Sequence, residues 1–293
     1  MIKNEISIED NFIDIDGIRA YYLMAGEGEP VLLLPGLAAS VAMSTEVTIR
    51  PLAKKFRVYA LDLPGSGESD KPILDYTLEQ GIRYVAEFLK IHDLDSINVV
   101  GLSRGGLISL GLALEYPERV KRLVLVNSAG LGSEIGLGFR LMSLPILGEL
   151  IAAPSLFVVR ALLKRTYRDC PTVDVDYLAK EFHRLMHLPG AKRALLSTIR
   201  QAVSINGLKA SVLMLDRLDE IKAPTLIVWG ANDNVIPVSH AYAAHSLIDG
   251  SQLHVFSNCG HDPAQEHSED FVELVANFLD GKHISSKEIV NGI

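Results

Sequence analysis

Ile97-Asn98-Val99-Val100-Gly101-Leu102-Ser103-Arg104-Gly105-Gly106 decides the fold of this chain. Its first four residues read as a short buried strand, and the residues from Gly106 to Glu115 have helical spacing. Between them, Gly101-Leu102-Ser103-Arg104-Gly105 is a G-x-S-x-G turn from strand to helix. Glycines on either side permit close backbone approach, so the serine is held in a strained conformation above the sheet. The helix N-terminus behind it favours a developing negative charge. An ordinary glycine-rich turn with an N-cap serine shares the same five residues. The flanking strand and helix are what make the reading specific.

Outward from this turn, the same rhythm recurs. Val31–Leu34, Val58–Leu61, Leu123–Val126, Thr225–Trp229 and Gln252–Phe256 read as strands. Most are continuous apolar runs, as expected for strands covered on both faces. Helical patterns alternate with them, including Leu78–Ile91 and Phe271–Leu279. This predicts an α/β fold with a doubly wound, mostly parallel sheet. An antiparallel hairpin turning at Asp16-Gly17 precedes it. From Leu131 to Ala210 the alternation stops, and only helical pattern broken by prolines remains. The expected organisation is therefore a core in two parts, 1–130 and 211–293, with an all-helical cap inserted at 131–210.

A serine hydroxyl is a weak nucleophile and needs a base that is itself oriented by a third group. Both partners are present in the expected chain order, each in a loop after a strand. Asp233 follows the strand ending at Trp229, and His261 follows the strand ending at Phe256. Parallel strands bring such loops to one sheet edge. Asp262 adjoins His261, but adjacent side chains usually diverge, which makes it the weaker acid. The loop after Leu123–Val126 offers Asn127, which carries no charge. An oxyanion would need donors: the backbone N–H of Arg104, and that of Leu37 in the loop Leu34-Pro35-Gly36-Leu37.

These segments, with Asp62-Leu63-Pro64-Gly65-Ser66-Gly67-Glu68-Ser69 and Gly260-His261-Asp262-Pro263, resemble the α/β-hydrolase fold family. The resemblance covers nearly all of the chain outside the insertion, which falls where the family places its helical cap. It implies a structural role for Asp62–Ser69. Relatives often carry His-Gly where this chain has Pro35-Gly36. Ser103 at the turn argues against the aspartate-dependent dehalogenases and epoxide hydrolases of the family.

The leading expectation is a serine hydrolase of carboxylic esters, small to medium and largely apolar, acting through an acyl-enzyme. The alternative keeps the same residues and hydrolyses a carbon–carbon bond in a vinylogous diketone. A third reading, from a different class, is a ligand receptor that retains the triad. Leu137, Phe139, Met142, Leu144, Leu147, Phe157 and Met186 suggest an apolar roof, although such spacing is more often plain core.

Composition narrows the field. The 293 residues are 48% hydrophobic and 22% charged, enough for a large core without staples. A net charge of −8 disfavours nucleic-acid binding. Cys170 and Cys259 are too few for a disulfide framework and suit reduced thiols. Met1–Ile6 has no apolar leader character. The longest apolar stretch, Leu141–Val159, is broken by Pro145 and charged by Glu149, so no membrane span is expected. His183 and His187 lie one helical turn apart but lack the glutamate of H-E-x-x-H, and neither metal nor cofactor is expected. A cytoplasmic monomer or homodimer with a small-molecule ester substrate completes the expectation.

Overall fold

In the computed structural model, Asp16 and Gly17 both have positive φ (53° and 78°), the conformation that a two-residue hairpin turn demands. They join β1 (Ile8–Ile15) to β2 (Ile18–Ala25). The structure describes residues 6–152, 155–167 and 170–284. The reading made of Met1–Ile6 falls almost wholly outside them. β3 (Glu29–Leu34), α1 (Arg50–Leu52), β4 (Phe56–Leu61) and α2 (Leu78–Ile91) come next. β5 (Ile97–Leu102), α3 (Arg104–Glu115) and β6 (Val120–Val126) complete the first half of the core. After the insertion come β9 (Thr225–Gly230), α9 (Ser239–Leu247), β10 (Gln252–Phe256), α10 (Pro263–Glu266) and α11 (Ser268–Leu279).

The eight long strands form one sheet in the order β1-β2-β4-β3-β5-β6-β9-β10. The hairpin strands pair antiparallel, and every pairing from β4 to β10 is parallel. The two-residue period of a strand sends neighbours to opposite faces. Leu32 and Leu34 thus join the apolar cluster that holds Val85, Phe88 and Leu110, from α2 and α3. Val31 and Leu33 join the cluster that holds Leu52, Phe271 and Phe278, from α1 and α11. Burial of each such side chain stabilises the fold by roughly 1.5–3 kcal/mol, which is why the core strands read as unbroken apolar runs.

Local signals fix the helix starts. Thr77 caps α2: its hydroxyl accepts from the Gln80 N–H at 3.2 Å, and the Gln80 side chain accepts from the Thr77 N–H at 3.0 Å. This reciprocal box satisfies two donors that a helix end leaves open.

Between β6 and β9 lie α4 (Leu137–Met142), α5 (Leu147–Ile151), α6 (Leu156–Thr166), α7 (Val175–Met186) and α8 (Ala191–Ala202). The expectation of helix alone needs one correction. β7 (Val203–Ser204) and β8 (Gly207–Leu208) form a small antiparallel hairpin after α8. Two-residue strands are too short to show a period, and Gly207, at φ 126°, supplies a backbone conformation open chiefly to glycine. The insertion is tied to the core by the Arg184–Glu68 ion pair and by Arg193, which donates to the Lys71 carbonyl at 2.8 Å. Both cysteines are free. No helix among the described residues is long and apolar enough to cross a membrane.

Candidate active site

The turn from β5 to α3 has the strain its sequence implies. Ser103 adopts φ 54° and ψ −112° and is held on three sides by backbone hydrogen bonds. Its N–H donates to the Val126 carbonyl, and its carbonyl accepts from Leu107 and Ala129. Neighbouring glycines are required for this geometry. A Cβ on Gly105 would stand 2.3 Å from the Leu34 carbonyl oxygen, and one on Gly101 would stand 2.5 Å from the Gly105 oxygen.

The loops after β9 and β10 bring the candidate acid and base together. His261 Nδ1 lies 2.7 Å from Asp233 Oδ2. The Asp233 carboxylate is fully buried, and its other oxygen accepts from the N–H groups of Val235 (2.7 Å) and Ile236 (3.1 Å). Burial alone would raise Asp233, but the His261 charge and these donors outweigh it and hold the carboxyl below its usual range. Burial alone would lower His261. The Asp233 charge and hydrogen bond, helped by Asp262 and Glu266, instead hold it above an ordinary histidine. Ser103 and His261 are not hydrogen-bonded to each other in this conformation; catalytic hydrogen bonds of this kind often tighten only as substrate binds.

Asp262, the weaker acid candidate, turns elsewhere. It caps α10 by accepting from the Gln265 N–H and lies 3.5 Å from the Tyr167 hydroxyl. Burial pushes its carboxyl up to about 6.

Two residues matter more than their sequence context suggests. Asn127 Nδ2 donates to Asp233 Oδ2 at 2.6 Å and to the Gly260 carbonyl at 3.3 Å. The position after β6 thus belongs to the site, as a neutral donor to the acid. Glu266 is buried and accepts from the N–H of Gly260 at 2.9 Å and of Asp262 at 3.2 Å, bracketing His261. Its sequence signal was faint: an acid one helical turn beyond Asp262.

Leu37 and Arg104 both line a cavity with Ser103. Among the described residues, neither backbone N–H is taken by another group. Gly36 brings this loop against the serine, since a Cβ there would lie 3.7 Å from Ser103 Cβ. Most of the wall is apolar, with Leu107, Ile108 and Val235 from the core and Phe139 and Ile199 from the insertion. Of the suggested roof residues, Phe139 is in the wall, whereas Leu137 and Phe157 face solvent. Asp62 sits away from this chemistry. It accepts from Ser40, Val41 and Glu68 and so organises the Asp62–Ser69 loop, while burial pushes it up to about 7.

The family model described as alpha/beta hydrolase fold matches residues 29–268. The chain belongs to that family. Among relatives of this α/β-hydrolase, 2-hydroxy-6-oxo-6-(2'-aminophenyl)hexa-2,4-dienoic acid hydrolase of Metapseudomonas resinovorans is 31% identical over 94% of the chain and 93% of its own length. A 2-hydroxy-6-oxononadienedioate/2-hydroxy-6-oxononatrienedioate hydrolase of Comamonas testosteroni is 30% identical, with coverage of 90% and 92%. The solved meta-cleavage product hydrolase of Pseudomonas fluorescens is 28% identical, with TM-score 0.78 and coverage of 94% and 98%. Hydrolytic chemistry on this fold is thus supported. The ester specificity expected first is not what these relatives' names carry; they match the alternative.

Proposed function

We propose that this α/β-hydrolase cleaves a carbon–carbon bond beside a ketone in a vinylogous diketone acid. One observation carries the choice over simple esters: relatives about 30% identical along nine-tenths of both chains are named as hydrolases of 2-hydroxy-6-oxo-dienoates. The enol and the remote ketone of such a molecule are conjugated, so one tautomer is a vinylogous diketone. That tautomer can accept the electron pair of the broken bond.

The chemistry uses the proposed triad. Ser103 Oγ attacks the ketone carbon as His261 takes its proton, with Asp233 orienting the imidazole. The oxyanion lies between the N–H groups of Leu37 and Arg104. Its collapse breaks the carbon–carbon bond, and the electron pair passes into the conjugated fragment, which takes the proton from His261. Water, activated by His261, then frees the acyl group from Ser103 as a carboxylic acid. One water is consumed, and the serine is regenerated.

The test compares 2-hydroxy-6-oxo-6-phenylhexa-2,4-dienoate with p-nitrophenyl butyrate. We expect kcat/KM for the dienoate to be at least a hundredfold larger, and Ser103→Ala to abolish it. A preference for the butyrate ester would return the assignment to the carboxylesterases.

A further inference from the structure

Arg104, one residue beyond Ser103, lines a cavity whose wall is mainly apolar. Several other arginines have carboxylate partners, Arg50 with Glu46, Arg184 with Glu68 and Glu181, and Arg200 with Glu149, while the partly enclosed Arg140 donates to the Ile205 carbonyl at 2.6 Å and Arg122 lies over the Phe278 ring. Among the described residues, Arg104 has no carboxylate within 4.0 Å. Its one side-chain hydrogen bond is a long one, 3.5 Å to the Ser66 hydroxyl. Tyr76, also in the wall, gives its hydroxyl hydrogen to the Pro72 carbonyl and is neutral.

A guanidinium withdrawn from water without an anion costs free energy that a purely structural position would avoid. Arginine also has the planar donor fork that fits a carboxylate through two parallel hydrogen bonds. We propose that Arg104 receives the carboxylate of the substrate, making the pocket selective for molecules with one anionic and one apolar end. This rests on the carbon–carbon hydrolase reading for the identity of the anion, but the binding site itself does not depend on bond cleavage. Leu37, Ile108 and Phe139 then face the hydrocarbon part. The protein's net negative charge does not oppose such binding, because the local potential of a cleft with low-dielectric walls governs capture.

The experiment separates binding from chemistry. Hexa-2,4-dienoate (sorbate) and its neutral amide, sorbamide, are titrated calorimetrically into the Ser103→Ala protein at low ionic strength. Sorbate is expected to bind at least tenfold more tightly. Adding Arg104→Met should erase the difference, and Arg104→Lys should restore part of it. In the protein that retains Ser103, Arg104→Met should raise KM for the dienoate about thirtyfold with a smaller change in kcat. Equal affinities for sorbate and sorbamide, or a preference that survives Arg104→Met, would overturn the proposal. If the Met variant does not fold, the sorbate-to-sorbamide ratio in the Ser103→Ala protein decides alone. Sorbate preference without dienoate cleavage retains the anion site and discards the carbon–carbon reading. Cleavage without preference does the reverse.

Discussion

His261 sits between two opposing influences: burial disfavours its protonated form, and the adjacent Asp233 carboxylate, helped by Asp262 and Glu266, outweighs it. In the proposed triad its neutral form is the base, so activity should fall as pH drops through its pKa. Because that pKa is raised, the acid limb of kcat/KM should have its midpoint above the ordinary histidine value of about 6.5. Asp233→Asn removes the charge but leaves the burial, so the limb should move below about 6.5. The same substitution should lower kcat by roughly 10⁴-fold, as loss of the orienting acid does in other triads. A pH–rate profile of both proteins checks the pair of shifts. An unmoved limb would mean that Asp233 does not set the state of His261. Asn127 acts on the same unit from behind, because its amide fixes Asp233 Oδ2 and the Gly260 carbonyl together.

At the scale of elements, the β5–α3 turn depends on absent side chains. Gly105→Ala would put a methyl group 2.3 Å from the Leu34 carbonyl oxygen, and neither backbone segment can easily move aside. We expect a loss of more than about 3 kcal/mol of stability, beyond ordinary overpacking, measured by urea unfolding. A folded Gly105→Ala protein of unchanged midpoint would contradict the packing described. This turn was legible in the sequence because its constraint is local: glycines, serine, a strand and a helix lie within one short stretch. The strands were equally legible, since two-sided burial writes itself as apolar runs. Asp233 and His261 could be named because each directly follows such a run. Asn127 and Glu266 were harder, since their roles arise from contacts across the sheet edge with Asp233 and Gly260. The β7–β8 hairpin lay hidden because two-residue strands have no period to display. Arg104 was visible as a residue, but its lack of an acidic neighbour is a fact of three dimensions.

Over the whole molecule, the two apolar clusters lie on opposite faces of one sheet, so neither half of the core is complete alone. The single tryptophan, Trp229, is fully buried in β9, and its indole N–H donates to the Ile236 carbonyl at 3.1 Å. Its fluorescence should therefore report the central sheet. In a urea titration its red shift should coincide with loss of far-ultraviolet circular dichroism, as cooperative unfolding requires. Separate midpoints would show that the second half of the sheet opens on its own.

The pairing of β6 directly with β9 has a practical consequence. The long helical insertion leaves the sheet from one strand and re-enters it at the very next, so it is a detour rather than a strut. A segment from another protein could be grafted between those two strands without rerouting the core. Such a chimera would acquire the donor's preference for the hydrocarbon end of a substrate. The demand for an anion, carried by Arg104 in the core, would stay with the host.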